Sequence, residues 1–142
     1  MSNVVSENVD NCVRIRLSNG ATNNLTTGVL REVALALDEA EHSARGIMLC
    51  GGDKFFSNGV DFDWALAQPT YGMRALFLEL GGCILTLMES PLPIVGVAKG
   101  HAIGVRSRCC WLVTIDILTA DACCTVNRKS CSVCRTAISA TN

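Results

Sequence analysis

Two short runs limit what this sequence can fold into. Ile47-Met-Leu-Cys50 and Ile94-Val-Gly-Val-Ala98 are almost wholly apolar. A continuous apolar run of strand length, bounded by turn residues, belongs in a sheet covered on both faces. Each run follows a segment whose apolar residues recur three or four apart. Val29, Leu30, Val33, Leu37 and Ala40 make one helical face. Met73, Leu76, Phe77, Leu80, Ile84, Leu87 and Met88 make another. Ahead of both, Val13-Arg-Ile-Arg-Leu17 alternates with the period of a half-buried strand, and Ser18-Asn19-Gly20 is turn chemistry. The order is strand, helix, strand, loop, helix, strand, an α/β layout. Thr26 or Thr27 can cap the first helix and Gly46 can end it. Pro91 and Pro93 stop the second. Gly81-Gly82 within that helix should cost about 1 kcal/mol each relative to alanine, so they predict a second backbone packed close.

Length and composition narrow the class. The chain has 142 residues, 49% of them apolar, enough for one domain with a real core. A formal net charge of -1 supplies no field for nucleic acid or an anionic membrane, so neither is expected as a partner. No apolar run approaches the roughly 18 residues of a membrane span. Met1 to Asn11 is polar and acidic, unlike a secretory or transit leader, which predicts a reducing intracellular compartment. Ser139-Ala140-Thr141-Asn142 is not the peroxisomal Ser-Lys-Leu address.

The cysteines mark a boundary. Cys12, Cys50 and Cys83 are scattered, whereas Cys109, Cys110, Cys123, Cys124, Cys131 and Cys134 crowd the last quarter. The composition shift divides the chain into residues 1–104 and a tail, 105–142. In the tail Trp111 to Leu118 reads as a strand, and Thr119 to Asn142 has no clean period. A zinc-binding module is one reading of these thiols. The usual ribbon needs two Cys-x-x-Cys pairs, and Cys131-x-x-Cys134 is the only one. No metal and no cofactor are therefore expected.

Two loops, one after each buried strand, are the candidates for chemistry. The first is Phe55-Phe56-Ser57-Asn58-Gly59-Val60-Asp61, the second Gly100-His101-Ala102-Ile103-Gly104. Glycines after a strand let main-chain N–H groups turn toward a ligand, and two such loops side by side can aim two donors at one oxygen. Two tight turns without function fit the same composition.

"DKFFSNGVDFDWALA" (residues 53–67), followed by "SPLPIVGVAKGHAIG" (residues 90–104), resembles the crotonase superfamily of enoyl-CoA hydratases and isomerases. The Phe-Phe-Ser-Asn-Gly-x-Asp form with Gly-His-Ala is most similar to the Δ3,Δ2-enoyl-CoA isomerase branch. "NNLTTGVLREVALALDEAE" (residues 23–41) sits where that family has its first helix. The resemblance covers about residues 10–104. It implies the N-terminal part of a spiral of strand-strand-helix turns, assembled in the family as homo-trimers or hexamers. It implies an acyl-CoA thioester as substrate and a role in fatty-acid β-oxidation, in the peroxisome by branch alone. The family polarises the thioester carbonyl with two main-chain N–H groups and stabilises the enolate left when an α-proton is removed. By position the donors are Val60, presented by Gly59, and Val105, presented by Gly104. Asp61 shapes the first loop or caps the segment after it.

From Val105 the pattern changes. The sequence runs Val105-Arg106-Ser107-Arg108, and Arg108 stands where hydratases carry a catalytic glutamate. The tail's acids, Asp116 and Asp121, match no site of the family, so this truncated chain is expected to be inactive. A non-catalytic acyl-CoA-binding or partner subunit is the alternative. The codons suggest a cause. Read two bases later, Cys109-Cys110-Trp111 forces Leu-Leu, and Leu112 to Ile117 permit Ala-Cys-Asp-Tyr-Arg-Tyr, which is similar to the family's continuation. His101 reads as a hydrogen-bonded structural residue, not a base. Phe62 and Trp64 read as packing residues near the acyl chain or under the loop. Lys54 and Lys99 are candidates for CoA phosphates, although a single exposed lysine is usually only solvated.

Overall fold

The computed structural model describes residues 2–97, 99, 101–103 and 123–125. The chain opens with a hairpin, β1 (Val4–Val9) and β2 (Cys12–Leu17), paired antiparallel from Val4↔Leu17 to Val9↔Cys12. Asp10 takes the left-handed conformation (φ 53°) in the turn between them. Then follow α1 (Thr27–Glu41), β3 (Gly46–Cys50), β4 (Phe55–Ser57), α2 (Phe62–Ala67), α3 (Gly72–Glu89), β5 (Ile94–Val97), β6 (His101–Ala102) and β7 (Cys123–Thr125). The main sheet has the order β1-β2-β3-β5-β7, with β2, β3 and β5 parallel and antiparallel strands at both edges. A second, two-stranded sheet pairs β4 with β6 in parallel.

The core lies between one face of the main sheet and the two long helices. Ile15, Leu17, Ile47, Leu49 and Ile94 meet Val29, Leu30, Val33 and Leu37 of α1 and Leu76, Cys83 and Leu87 of α3. Burying one such aliphatic side chain is worth about 1.5–3 kcal/mol. The expected face of α1 lies wholly in the core, while α3 turns Leu76, Cys83 and Leu87 inward and leaves Phe77 and Met88, expected on its buried face, exposed. On the other sheet face Cys12, Met48 and Val95 form a smaller buried cluster. Arg31 of α1 and Glu79 of α3 pair across the surface.

Several expectations need correction. Residues 4–9 form a strand although they carry no alternating signal. Four of the six side chains are exposed, and the strand exists because β2 offers an edge. The Glu32 carboxylate of α1 holds its start, accepting from Ser2 Oγ (2.9 Å) and from the main-chain N–H groups of Asn3 (2.7 Å) and Val4 (3.1 Å). Thr26 caps α1, its hydroxyl accepting from Val29 N, but the helix ends at Glu41 and Gly46 opens β3 instead. Among the described residues no backbone packs on Gly81 or Gly82. A Cβ at either position would meet open space among the described residues. The stretch expected as one loop, Gly51 to Asp63, contains β4 and the start of α2. Cys123–Thr125, inside the tail expected to be irregular, pairs antiparallel with β5. The expected strand Trp111 to Leu118, and most of the proposed zinc ligands, lie outside the described residues. No described helix is long and apolar enough to cross a membrane.

Candidate active site

The β4–β6 pairing brings the two glycine loops together. Phe55 faces His101 and Ser57 faces Ala102. His101 N–H donates to Lys54 O (2.9 Å), and Ile103 N–H donates to Ser57 O (2.8 Å). Being parallel, the strands release both loops at the same edge. Val60 follows Ser57 by three residues, and Val105 follows Ala102 by three. Gly104 and Val105 themselves lie outside the described residues.

In the first loop three successive peptide planes are fixed. Gly59 N–H donates to Ser57 Oγ (3.0 Å), Leu25 N–H donates to Gly59 O (2.8 Å), and Asp61 N–H donates to Leu25 O (2.9 Å). Gly59 joins the first plane to the second at φ 89°, a conformation that glycine reaches without Cβ strain. In a trans peptide the C=O and N–H point in opposite directions. Because Gly59 O faces Leu25, the Val60 N–H faces the other way. Among the described residues nothing accepts from it. Asp61 caps α2, its Oδ1 accepting from Trp64 N–H (2.8 Å), and its Oδ2 accepts from Asn24 Nδ2 (3.4 Å).

Beneath the loop is a polar network that sequence reasoning missed. Ser57 is 1% exposed, and its hydroxyl also donates to Asn23 O (2.8 Å). Asn23, 3% exposed and left-handed at φ 49°, accepts from Asn19 N–H (2.8 Å) and donates to Phe55 O (3.2 Å) and Phe56 O (3.3 Å). Asn58 N–H donates to Thr22 O (2.9 Å). The available signal was an Asn-Asn pair between a turn and a helix start, since asparagine tolerates the left-handed region.

The other candidates fall around this loop. Phe62, Leu66 and Ile103 are exposed apolar residues next to the two turns. Trp64 is half-buried and packs against the core. His101 is exposed with its ring tilted against Phe55, the centroids 5.8 Å apart, and Lys54 Nζ lies 5.8 Å from the same Phe55 ring. Lys99 is exposed. Burial pushes the Cys50 thiol above its ordinary pKa, with Arg14, Arg16 and Lys99 acting in the opposite direction.

Comparison with known proteins shows the family and the fold. The family model for enoyl-CoA hydratase/isomerase matches residues 7–123, beyond the boundary expected at Gly104. The chain is 32% identical over 92 residues to the peroxisomal bifunctional enzyme of Homo sapiens, covering 63% of this chain and 12% of that protein. It is 30% identical over 124 residues to a probable enoyl-CoA hydratase of Bacillus subtilis (strain 168), covering 84% of this chain and 48% of the relative. The chain therefore spans half or less of the length of these relatives. The human mitochondrial delta3-delta2-enoyl-CoA isomerase superposes with a TM-score of 0.64 at 22% identity, over 70% of this chain and 40% of that one.

Proposed function

Because this chain belongs to the enoyl-CoA hydratase/isomerase family, we propose that its two glycine loops bind the thioester carbonyl of an acyl-CoA, with the N–H groups of Val60 and Val105 as the paired donors. The observation that carries this is the Val60 N–H, turned away from Leu25 and without a described acceptor. Two fixed donors at one oxygen stabilise charge that develops there, and neither must reorganise during reaction. The reaction this favours is isomerisation of a 3-enoyl thioester. A base removes a C2 proton, and the electron pair moves onto the carbonyl oxygen as an enolate. Reprotonation at C4 then leaves the double bond between C2 and C3. Phe62, Leu66 and Ile103 offer apolar surface for the acyl chain, and Lys54 and Lys99 offer charge for the CoA phosphates. The Bacillus relative's name favours hydration, and the human one's a peroxisomal setting.

A second reading has a specific observation behind it. Arg108 stands where the family's hydratases carry glutamate. Proton abstraction requires a base within hydrogen-bond reach. Asp61, the acid beside the loop, is engaged at the α2 cap. This favours an acyl-CoA binder without turnover, with the family fold in residues 1–104 and a divergent tail in 105–142. Isothermal titration with acyl-CoA, followed by an ultraviolet assay for the conjugated 2-enoyl product, separates the two readings. Binding with product formation supports the isomerase. Binding alone supports the second reading, and no binding rejects both.

A further inference from the structure

The donor in the first loop is held by a buried side chain. We infer that Ser57 is a positioning residue for the carbonyl site, acting through its hydroxyl as a two-way link between Asn23 and Gly59. This inference rests on the acyl-CoA reading above and deepens it.

The Val60 N–H belongs to the Gly59–Val60 peptide, whose oxygen is held by Leu25 N–H at 2.8 Å. That bond fixes one end of the plane. The other end depends on the two torsions at Gly59, and glycine is the residue least able to fix its own torsions. What fixes them is the preceding peptide, whose N–H donates to Ser57 Oγ at 3.0 Å. The hydroxyl is committed in turn, since its proton goes to Asn23 O at 2.8 Å. Ser57 thus accepts from the loop and donates to the segment before α1, and it is 1% exposed, so water cannot take either role. Linked hydrogen bonds polarise one another, which stiffens the set. Asn23 is fixed independently by Asn19 N–H and by the carbonyls of Phe55 and Phe56. The chain of constraint therefore runs from Asn23 through the Ser57 hydroxyl to Gly59 and ends at the Val60 N–H.

Alanine at position 57 removes the acceptor for Gly59 N–H and the donor to Asn23 O together. The test uses the full chain and two ligands, an acyl-CoA with a 13C-labelled thioester carbonyl and the matching S-alkyl-CoA, which has no carbonyl. Difference infrared spectroscopy reads the carbonyl stretch, and titration calorimetry reads both affinities. In the unaltered chain the stretch moves down on binding. Ser57→Ala is expected to lose most of that movement and to weaken acyl-CoA binding, while S-alkyl-CoA binds as before. An unchanged carbonyl shift in Ser57→Ala overturns the inference and leaves the acyl-CoA reading intact. Equal weakening toward both ligands also overturns it, because a purely structural role predicts that. No carbonyl shift in the unaltered chain overturns the acyl-CoA reading and the inference with it. If Ser57→Ala does not fold, Ser57→Cys keeps the size and weakens the acceptor. An intermediate shift then supports the link, and a full shift rejects it.

Discussion

Asn23→Ala separates two contributions to the network under the loop. The substitution leaves Asn19 N–H without its 2.8 Å acceptor and deprives the carbonyls of Phe55 and Phe56 of the Asn23 amide. Phe55 O keeps Gly52 N–H at 2.9 Å, whereas Asn19 N–H and Phe56 O lose the partner that Asn23 gives them. An orphaned donor in a site this enclosed costs about 1–3 kcal/mol. Alanine must also hold φ near 49°, where an L-residue without a short polar side chain loses about 1–2 kcal/mol. The expected destabilisation is about 2–5 kcal/mol. Asn23→Gly loses the same bonds but not the backbone term, so it should be about 1 kcal/mol more stable than Asn23→Ala. This reverses the usual order of the two residues. The assay is urea unfolding of dilute protein followed by tryptophan fluorescence, with midpoints compared at a common slope. Alanine equal to or better than glycine would refute the strain argument. Either variant within about 0.5 kcal/mol of the parent, the scatter of ordinary surface changes, would refute the hydrogen-bond argument.

Other expectations can be checked as directly. Gly51→Ala places a Cβ onto the main chain of Phe56 and should disrupt the turn into β4, seen as lost amide protection across residues 51–57. Burial raises the Glu32 pKa, but the hydrogen bonds from Asn3, Ser2 and Val4 outweigh it and hold the carboxyl below its ordinary value. Its stabilisation is thus complete above the unfolded glutamate pKa and fades as pH falls through the lower folded value. The protection of the Val4 amide, its exchange rate relative to the intrinsic rate at the same pH, should fall in that acid range, and Glu32→Gln should remove the pH dependence of that protection. The Cys83 thiol is pushed up to about 11, by burial first and by Glu79 second, so native protein should alkylate there far more slowly than urea-unfolded protein. Leu78 is 64% exposed and Leu85 is 56% exposed on α3, so replacing both with lysine should reduce light scattering without lowering the urea midpoint.

What could be read from sequence was what periodicity encodes. The apolar faces of α1 and α3 and the runs that became β3 and β5 each carry their burial in their spacing. The α1 face and the two strand runs are buried as expected, but on α3 only part of the expected face is: Leu76 and Leu87 are buried, whereas Phe77 and Met88 are about half exposed. The first loop stood out through its likeness to the family motif rather than through composition, and Asp61 caps α2 as one of its two expected roles had it. β1, β4 and β6 were not legible. β4 is three residues long and β6 is two, too short to show a period, and their pairing joins residues more than forty positions apart. Ser57 and Asn23 were missed because a polar residue gives no sign, in sequence, that it will be buried. A glycine pair suggests a close neighbour, and among the described residues Gly81 and Gly82 have none.

The short ladder of β4 and β6 also sets where the chain can change length. Everything between Ser57 and His101 is a detour that leaves one side of the ladder and returns to the other. The spacing of the two turns is therefore indifferent to how long that detour is. A residue inserted between α2 and α3, near Gln68 to Tyr71, lengthens the path and leaves the return point where it was. A residue inserted between Ser57 and Gly59 changes the count on one side only and puts the turns out of step. The chain can thus vary in length at the turn between α2 and α3 while being fixed to the single residue between Ser57 and Gly59, and relatives of different length can keep the same geometry at this edge.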